Sequence, residues 1–159
     1  MRNGSDFSDI ADRIEKLISG WEVRLLQLPM EARTERFNQQ NRSIKQIIGH
    51  MIDSACNNHQ RIVRLQYNET LEFPDYRPQN DIWIKVQHYQ TEDWSLMINL
   101  WKYYNLHLCH LFLNVDENCL ANSWTDADGV QVSLREMMEG YLVHFELHLY
   151  EIEDLIKQK

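Results

Sequence analysis

Histidine is the residue type in this sequence best suited to chemistry, because a neutral imidazole can bind a metal ion or exchange a proton near neutral pH. His144 and His148 stand four positions apart. On a helix this spacing places two imidazoles on one face, one turn apart, where both can bind a single ion. Half-buried histidines that only form hydrogen bonds often show the same spacing, so the pair alone leaves both interpretations open.

His50 could extend such a site from a second helix. Its helical phase puts it at the edge of an apolar face, near Ser54 and Asn57. A side chain in that position can line a cleft between helices. The sequence therefore makes His50 the third candidate ligand.

Acidic residues near these histidines are candidates to orient them. Asp53 lies one turn after His50 and could orient the imidazole or accept a proton, or it could be a solvated surface acid. Glu151 lies one turn beyond His148, whereas Glu146 points away from the apolar stripe. Glu151 is thus the better candidate to hold a histidine of the last helix.

The remaining histidines have structural interpretations. His59 projects roughly opposite His50, so we expect a packed or hydrogen-bonded residue at the edge of the core rather than a fourth ligand. His107 and His110 favour the same structural interpretation. His88 falls in a connecting segment and receives no role.

Four amphipathic segments must position these side chains. Apolar residues recur at three- and four-residue steps in each segment. The segments are residues 7–28, 43–67, 91–114 and 133 to near the C-terminus. Each segment has a signal for a helix start just before or within its first residues. These signals are Ser5 or Asp6 for the first, Ser43 with Gln46 for the second, Glu92 and Asp93 for the third, and Ser133 with Glu136 for the fourth.

The connections limit how these helices are arranged. Residues 68–90 form a long crossover that lets the second and third helices run parallel, and residues 81–88 can add a short helix. We find no hairpin signal and expect almost no strand. The predicted fold class is all-α, a four-helix bundle with a long crossover between helices 2 and 3, in a single domain over residues 1–159.

Composition excludes several classes of partner. The formal net charge is -8 and no block of Lys or Arg is present, so nucleic acid is not expected as a partner. Apolar runs of a few residues are too short to cross a bilayer, and no apolar leader begins the chain. Cys56, Cys109 and Cys119 form no CxxC pair and are expected to be reduced. We therefore expect a cytoplasmic protein.

Several short motifs, taken in their order and spacing, resemble the DinB-like superfamily across most of the chain. They are Ile48-Gly49-His50-Met51-Ile52-Asp53-Ser54, Phe73-Pro74-Asp75-Tyr76 with Asp81-Ile82-Trp83, Trp94 and Trp101, Ser133-Leu134-Arg135-Glu136, and Tyr141-Leu142-Val143-His144 with His148-Leu149. The resemblance implies a four-helix bundle, commonly a homodimer. One histidine of helix 2 and two of the last helix would bind a divalent metal such as nickel or zinc.

Carried over residue by residue, the implied metal ligands are His50, His144 and His148. This chain departs from the family pattern at two positions. Leu147 stands where members often have the first histidine of a doublet, and Gly140 stands where they often have an acid. The second histidine of the doublet is the usual ligand, so Leu147 does not remove the site.

The implied site has a chemical consequence. Three neutral histidines leave a coordination position open, where a bound water or thiol can be activated. By resemblance we expect a metal-dependent S-transferase that uses a low-molecular-weight thiol such as bacillithiol or mycothiol, or a related hydrolase. Arg61 and Arg64 could bind the carboxylates of such a thiol, although a solvent-facing role is the commoner one for each.

Two other interpretations stay open at the level of the sequence. One is a metal- or ligand-binding bundle without catalysis, with a role in a stress response. The other is a protein-interaction module that uses the same helices without metal.

Overall fold

The computed structural model describes residues 7–158, which form six α-helices and three short β-strands. The helices are α1 (Ser8–Gln27), α2 (Met30–Thr34), α3 (Ile44–Leu65), α4 (Asn80–Val86), α5 (Trp94–Leu113) and α6 (Leu134–Lys157). The strands are β1 (Thr70–Leu71), β2 (Ser123–Thr125) and β3 (Gln131–Ser133). The expected capping residues Ser5 and Asp6 lie outside the described residues.

Helices α1, α3, α5 and α6 are the four predicted amphipathic segments. Both predicted capping boxes are present, because the hydroxyls of Ser43 and Ser133 accept backbone hydrogen bonds from Gln46 and Glu136, whose side chains accept in return from the serine backbones. Asp93 caps α5, accepting a 2.7 Å hydrogen bond from the backbone N–H three residues later. Within residues 7–158 no helix combines the length and apolar character of a membrane span.

Two contacts in each helix pair give the relative direction of its helices. Helices that run in the same direction are α1 and α6, from the contacts of Arg13 with Glu146 and Arg24 with Glu153, and α3 and α5, from those of Lys45 with Glu92 and His59 with Tyr104. Helices that run in opposite directions are α1 and α5, from the contacts of Leu25 with Trp94 and Ala11 with Cys109, and α3 and α6, from those of His50 with His148 and Ser54 with His144. The four long helices therefore run up, down, down and up. The parallel α3 and α5 require the long crossover predicted between them.

Helices α5 and α6 meet through large side chains at the centre of the bundle. The Trp101 ring stacks on Phe145 with 5.8 Å between centroids, and both side chains are buried. Asn105, also buried, accepts a 2.6 Å hydrogen bond from the Tyr141 hydroxyl and donates one of 2.7 Å to the backbone of Trp101. The polar groups of Asn105 are thereby satisfied inside an apolar core.

The expectation of almost no strand was wrong. Strands β1 and β2 pair in parallel and β2 pairs with β3 in an antiparallel hairpin, which gives a three-stranded sheet at one end of the bundle. Strands of two or three residues are too short to show a period-2 pattern. The sheet is a small addition to the helical bundle and leaves the predicted fold class unchanged.

The hairpin turn does carry a local signal. The Asp126 carboxylate accepts hydrogen bonds from the backbones of Asp128 (2.9 Å) and Val130 (2.8 Å), and Gly129 has a φ of +79°. Asp followed by Gly between short β-prone segments is typical of such turns, because glycine adopts positive φ without steric cost. Asp128-Gly129 is thus the signal by which the hairpin could have been predicted.

The crossover packs against α3 rather than running free over the surface. It contains β1, a 3-10 turn at Arg77–Gln79, α4, and a second 3-10 turn at Tyr89–Thr91. The short helix expected over residues 81–88 corresponds to α4. Tyr89 is buried against Gly49 of α3, and its hydroxyl donates a 2.6 Å hydrogen bond to Asp53. The crossover therefore covers the face of α3 next to His50.

This close approach makes Gly49 sensitive to substitution. A Cβ at position 49 would lie 2.2 Å from Cδ2 of Tyr89, so Gly49→Ala must displace the ring. We expect a loss of roughly 1–3 kcal/mol in the free energy of unfolding, the usual cost of overpacking, measured by urea denaturation. The control is Gly20→Ala in α1, which meets nothing within 4 Å and should be neutral or stabilising by up to about 1 kcal/mol. Equal stabilities for the two variants would contradict the packing described.

Candidate metal centre

Three imidazoles converge between α3 and α6. His144 and His148, one turn apart on α6, have ring centroids 4.4 Å apart, and His50 of α3 lies 5.4 Å and 4.7 Å from them. One ring nitrogen from each residue lies within 4.8 Å of the other two. Among residues 7–158 this is the one group of three His, Cys, Asp or Glu side chains that could hold a metal ion. The structure thus brings together all three residues that the sequence singled out.

Burial keeps two of these histidines neutral. His50 is 3% exposed, and burial, followed by the charges of His148 and His144, lowers its pKa to about 2. Burial and the charge of His148 likewise lower the pKa of His144 to about 4, although Glu151 acts in the opposite direction. A neutral imidazole keeps a lone pair on one nitrogen. Both side chains are therefore in the form that binds a metal near neutral pH.

Glu151 sets the orientation of His148. Its Oε2 lies 2.9 Å from Nδ1 of His148, as expected for the residue one turn beyond. Burial acts to raise the pKa of Glu151, but the hydrogen bond and charge of His148 outweigh it and hold that pKa below its usual value. A carboxylate only accepts, so Nδ1 of His148 carries the proton and the lone pair on Nε2 faces the cluster.

The arrangement of the nitrogens fits a divalent transition metal. Nε2 of His148 lies 3.0 Å from Nε2 of His144, and in a tetrahedral zinc site with bonds of about 2.0–2.1 Å two nitrogens lie roughly 3.3 Å apart. Nδ1 of His50 is buried without a hydrogen-bond partner among residues 7–158, which is rare for a buried polar atom. Three histidines with a fourth position open are typical of catalytic rather than structural zinc sites.

A cavity of about 310 Å³ gives access to this cluster. His50 and His144 border it on one side. Its other walls include Ser54, Asn58, Arg61, Tyr76, Trp124 and Tyr141. Ser54 Oγ lies 3.5 Å from Nδ1 of His144 and links the cavity wall to the second histidine. A small molecule in the cavity would therefore lie against the open side of the cluster.

Asp53 is neither a surface acid nor a partner of Nδ1 of His50. It is 2% exposed and so is not a surface acid, because the crossover covers this face of α3. Its Oδ1 accepts hydrogen bonds from the Tyr89 hydroxyl (2.6 Å) and the Gln87 amide (2.8 Å). Nδ1 of His50 has no hydrogen-bond partner, so Asp53 does not orient that nitrogen. Asp53 instead fastens the crossover to α3, one turn from His50.

Arg61 does not face solvent, although that was the commoner role expected of it, whereas Arg64 does. Arg61 is 4% exposed and lines the cavity, with its guanidinium 4.1 Å from the centre of the Trp124 ring. Arg64 is exposed and bonds to Gln60 one turn earlier on α3. Helical phase alone missed the burial of Arg61, because the covering residue comes from strand β2, which the sequence analysis did not predict.

The other histidines lie outside the cluster, and of these His59 has the hydrogen-bonded position at the edge of the core that was expected of it. His59 is half-buried, and its Nδ1 lies 3.1 Å from the Tyr104 hydroxyl of α5. His107 and His110 are exposed on α5. His88 is exposed and has a left-handed backbone conformation, with a φ of 54°.

The two departures from the family pattern lie outside the histidine cluster. Leu147 is exposed on the outer face of α6, although it directly precedes His148. Gly140 lines the cavity one turn before His144, and a Cβ there would meet no atom within 4 Å. Leu147 therefore leaves the cluster unchanged, and Gly140 enlarges the cavity beside it.

The fold and the cluster together define a class, a four-helix bundle with up-down-down-up directions and a buried three-histidine centre between α3 and α6. A solved structure with this fold is YfiT from Bacillus subtilis, described as a probable metal-dependent hydrolase with an unusual four-helix bundle topology. The TM-score is 0.73, with 16% sequence identity, over 93% of this chain and 85% of that chain. The predicted four-helix bundle is thereby confirmed as a fold. No protein-family model and no curated protein matches the sequence.

Removal of one imidazole should reduce metal binding without loss of the fold. His148→Ala takes away Nε2 from the cluster while the core stripe of α6 stays intact. We expect wild-type protein loaded with zinc to hold about one ion per chain, and His148→Ala to hold clearly less, with unchanged helical circular dichroism. The measurement is elemental analysis after dialysis.

The control for this experiment is His59→Ala, a half-buried histidine of α3 outside the cluster. It should keep the wild-type metal content. An unchanged zinc content in His148→Ala, or an equal loss in His59→Ala, would contradict the assignment of His148 as a ligand.

Proposed function

We propose that this protein is a divalent-metal-dependent enzyme that transfers a low-molecular-weight thiol to an electrophilic substrate. The observation that carries the proposal is that His50 and His144, two members of the three-histidine cluster completed by His148, border a cavity of about 310 Å³, large enough for a small molecule. A purely structural metal site would be closed by a fourth protein ligand. The described residues offer no fourth His, Cys, Asp or Glu to this cluster.

Each residue of the centre has a defined task in this proposal. His50, His144 and His148 hold nickel or zinc, and Glu151 keeps the lone pair of His148 directed at the ion. A divalent metal bound there lowers the pKa of a thiol or water at the open position. Burial raises the pKa of Tyr76 to about 12, so its hydroxyl stays protonated and can donate a hydrogen bond to a leaving group.

The proposed reaction is a substitution at carbon. The thiol loses its proton to a solvent base, and a sulfur lone pair forms a bond to the electrophilic carbon of the second substrate. The bond from that carbon to the leaving group breaks, and the leaving group departs with the electron pair. A cytoplasmic location, which we include in the proposal, suits this reaction because low-molecular-weight thiols are kept reduced there.

A hydrolase is the second candidate function. Its support is the description of YfiT, the structural neighbour, as a probable metal-dependent hydrolase. The same open position would then take water in place of a thiol. A metal-binding bundle without catalysis, with a stress-related role, is the alternative if neither substrate class is turned over.

We further propose that two copies of the chain form a homodimer through the outer face of α6. Val143, Leu147 and Tyr150 are exposed and lie one turn apart on that face. Side chains at three- and four-residue steps on one helix form a continuous apolar stripe. Such a stripe can pack against its own copy about a two-fold axis.

Catalysis is tested with protein loaded with zinc or with nickel. Bacillithiol and cysteine are offered with monobromobimane and an epoxide, and thioether formation is followed by mass spectrometry. We expect turnover that is lost after chelation or in His50→Ala, and that falls roughly 10- to 100-fold in Glu151→Gln, because a carboxylate that orients a ligand typically contributes this much. Metal content is measured on the same samples.

Three outcomes of this assay separate the candidate functions. Conjugation above the rate of the metal-free protein supports the transferase. Hydrolysis of a p-nitrophenyl ester without conjugation supports the hydrolase. Bound metal with neither reaction would refute both enzyme proposals and leave the binding bundle.

Dimer formation is tested by sedimentation equilibrium. We expect wild-type protein to have the mass of two chains at micromolar concentration, and Leu147→Glu to shift it towards one chain, because the new charges would be buried at the interface. The control is Leu100→Glu, which changes an exposed leucine of α5. A wild-type monomer would refute the dimer, and dissociation by Leu100→Glu instead would place the interface on α5.

A further inference from the structure

Arg61 is a buried cation that forms no ion pair with a carboxylate among residues 7–158. Its side chain is 4% exposed, and Nε has no hydrogen-bond partner among the described residues. The acidic group whose charge acts most strongly on it is Asp75. The carboxylate of Asp75 is already occupied, because it accepts hydrogen bonds from the side chain of Arg77 and from the backbone of Ala127.

The contact that Arg61 does make leaves its donors available. Its guanidinium stacks over the Trp124 ring at 4.1 Å, a cation–π contact that uses the face of the group and none of its N–H bonds. Trp124 is held in place, because its indole N–H donates a 2.7 Å hydrogen bond to the backbone of Phe73. The platform is held in place and no described residue accepts a hydrogen bond from the N–H edge of Arg61, which is the arrangement that receives a planar anion in two parallel hydrogen bonds.

Arg61 lies on the same cavity as the histidine cluster. Both border the same cavity, and Arg61 lies eleven positions after His50 on α3, a rise of roughly 16 Å between their backbones. Helical side chains tilt back towards the N-terminus, so the stem of Arg61 leans along α3 towards the turn that follows Ser54 and His50. Ser54 and Asn58 line the cavity between the two ends.

We propose that Arg61 is an anion-binding residue of this cavity, and that the ligand bound there carries a carboxylate at one end and its metal-binding group at the other. The carboxylate end pairs with Arg61 on its tryptophan platform. The other end reaches the cluster of His50, His144 and His148. Only this second half of the inference rests on the proposed function.

The binding of a carboxylate is first tested on metal-free protein, which makes the result independent of the metal. Octanoate and octanamide have the same length and differ in charge, and their dissociation constants are obtained from the quenching of tryptophan fluorescence. We expect octanoate to bind wild-type protein roughly 10- to 100-fold more tightly than octanamide, as for a charge-assisted hydrogen bond. Arg61→Met, which keeps much of the side-chain volume, should remove the difference.

Two further variants make this result decisive. Arg64→Met, on the exposed side of the same helix, should behave as wild type. Arg61→Lys keeps the charge but not the fork of donors and should lose part of the preference. Equal binding of octanoate and octanamide by wild type, or an unchanged preference in Arg61→Met, would overturn the proposal. If Arg61→Met does not fold, wild type and Arg61→Lys still decide it.

The two-ended ligand is then tested on zinc-loaded protein with ω-mercaptocarboxylates. We compare 3-mercaptopropionate, 6-mercaptohexanoate and 8-mercaptooctanoate with their methyl esters. Binding should strengthen when the chain becomes long enough to span the cavity, and only the acids should show this step in wild type. A step for the esters as well, or none for the acids, would overturn the two-ended ligand. Zinc content measured beforehand distinguishes this outcome from failure of the metal site.

Discussion

Convergence of three imidazoles, two of them buried and that of His144 half-buried, in one contact between α3 and α6 is the constraint on which the rest of the structure depends. A polar group inside a protein must find a partner, and the charged form of histidine is disfavoured there. His50 and His144 are accordingly held neutral, with a pKa of about 2 and about 4. The lone pairs then share one small volume. Nδ1 of His148 pairs with Glu151 and Nδ1 of His144 with Ser54, and their Nε2 atoms lie 3.0 Å apart, whereas Nδ1 of His50 has no hydrogen-bond partner among residues 7–158.

The directions of the helices are those that bring these three histidines together. An antiparallel α3 and α6 bring His50 to His148 and Ser54 to His144. Because α3 and α5 are parallel, they need a long connection, and this crossover packs against α3. Tyr89 lies on Gly49 and bonds to Asp53, which holds the crossover against α3 one turn from the cluster. The crossover thus forms part of the surroundings of the histidine cluster, as the helices do.

Helical periodicity was sufficient to predict the four long helices, and two capping boxes located the starts of α3 and α6. These features depend on residues three or four positions apart, which a sequence displays directly. The same reasoning placed His144 with His148 and Glu151 beside them. The convergence of His50 depends on the rotation of α3 against α6, so helical phase made His50 a candidate and the family resemblance was needed to place it with the other two.

The failures have a common physical cause. Burial of Asp53 and Arg61 comes from residues distant in sequence, Tyr89 in the crossover and Trp124 in β2. Helical phase reports which residues share a face, but not what covers that face. The missed hairpin has a different cause. Asp128-Gly129 is a local turn signal, but the flanking strands of three residues are too short to show a strand pattern.

The cavity joins two positive centres of different kinds. At one end a metal would sit among the three histidines, and at the other Arg61 lies on Trp124 without an ion-pair partner among residues 7–158. Arg77, which also borders the cavity, is already paired with Asp75 and Asp126. A ligand that engages both ends makes its second contact within the same complex, so two weak interactions combine into a strong one. Discrimination then follows from length as well as charge, because a molecule with only one matching end gains only one contact.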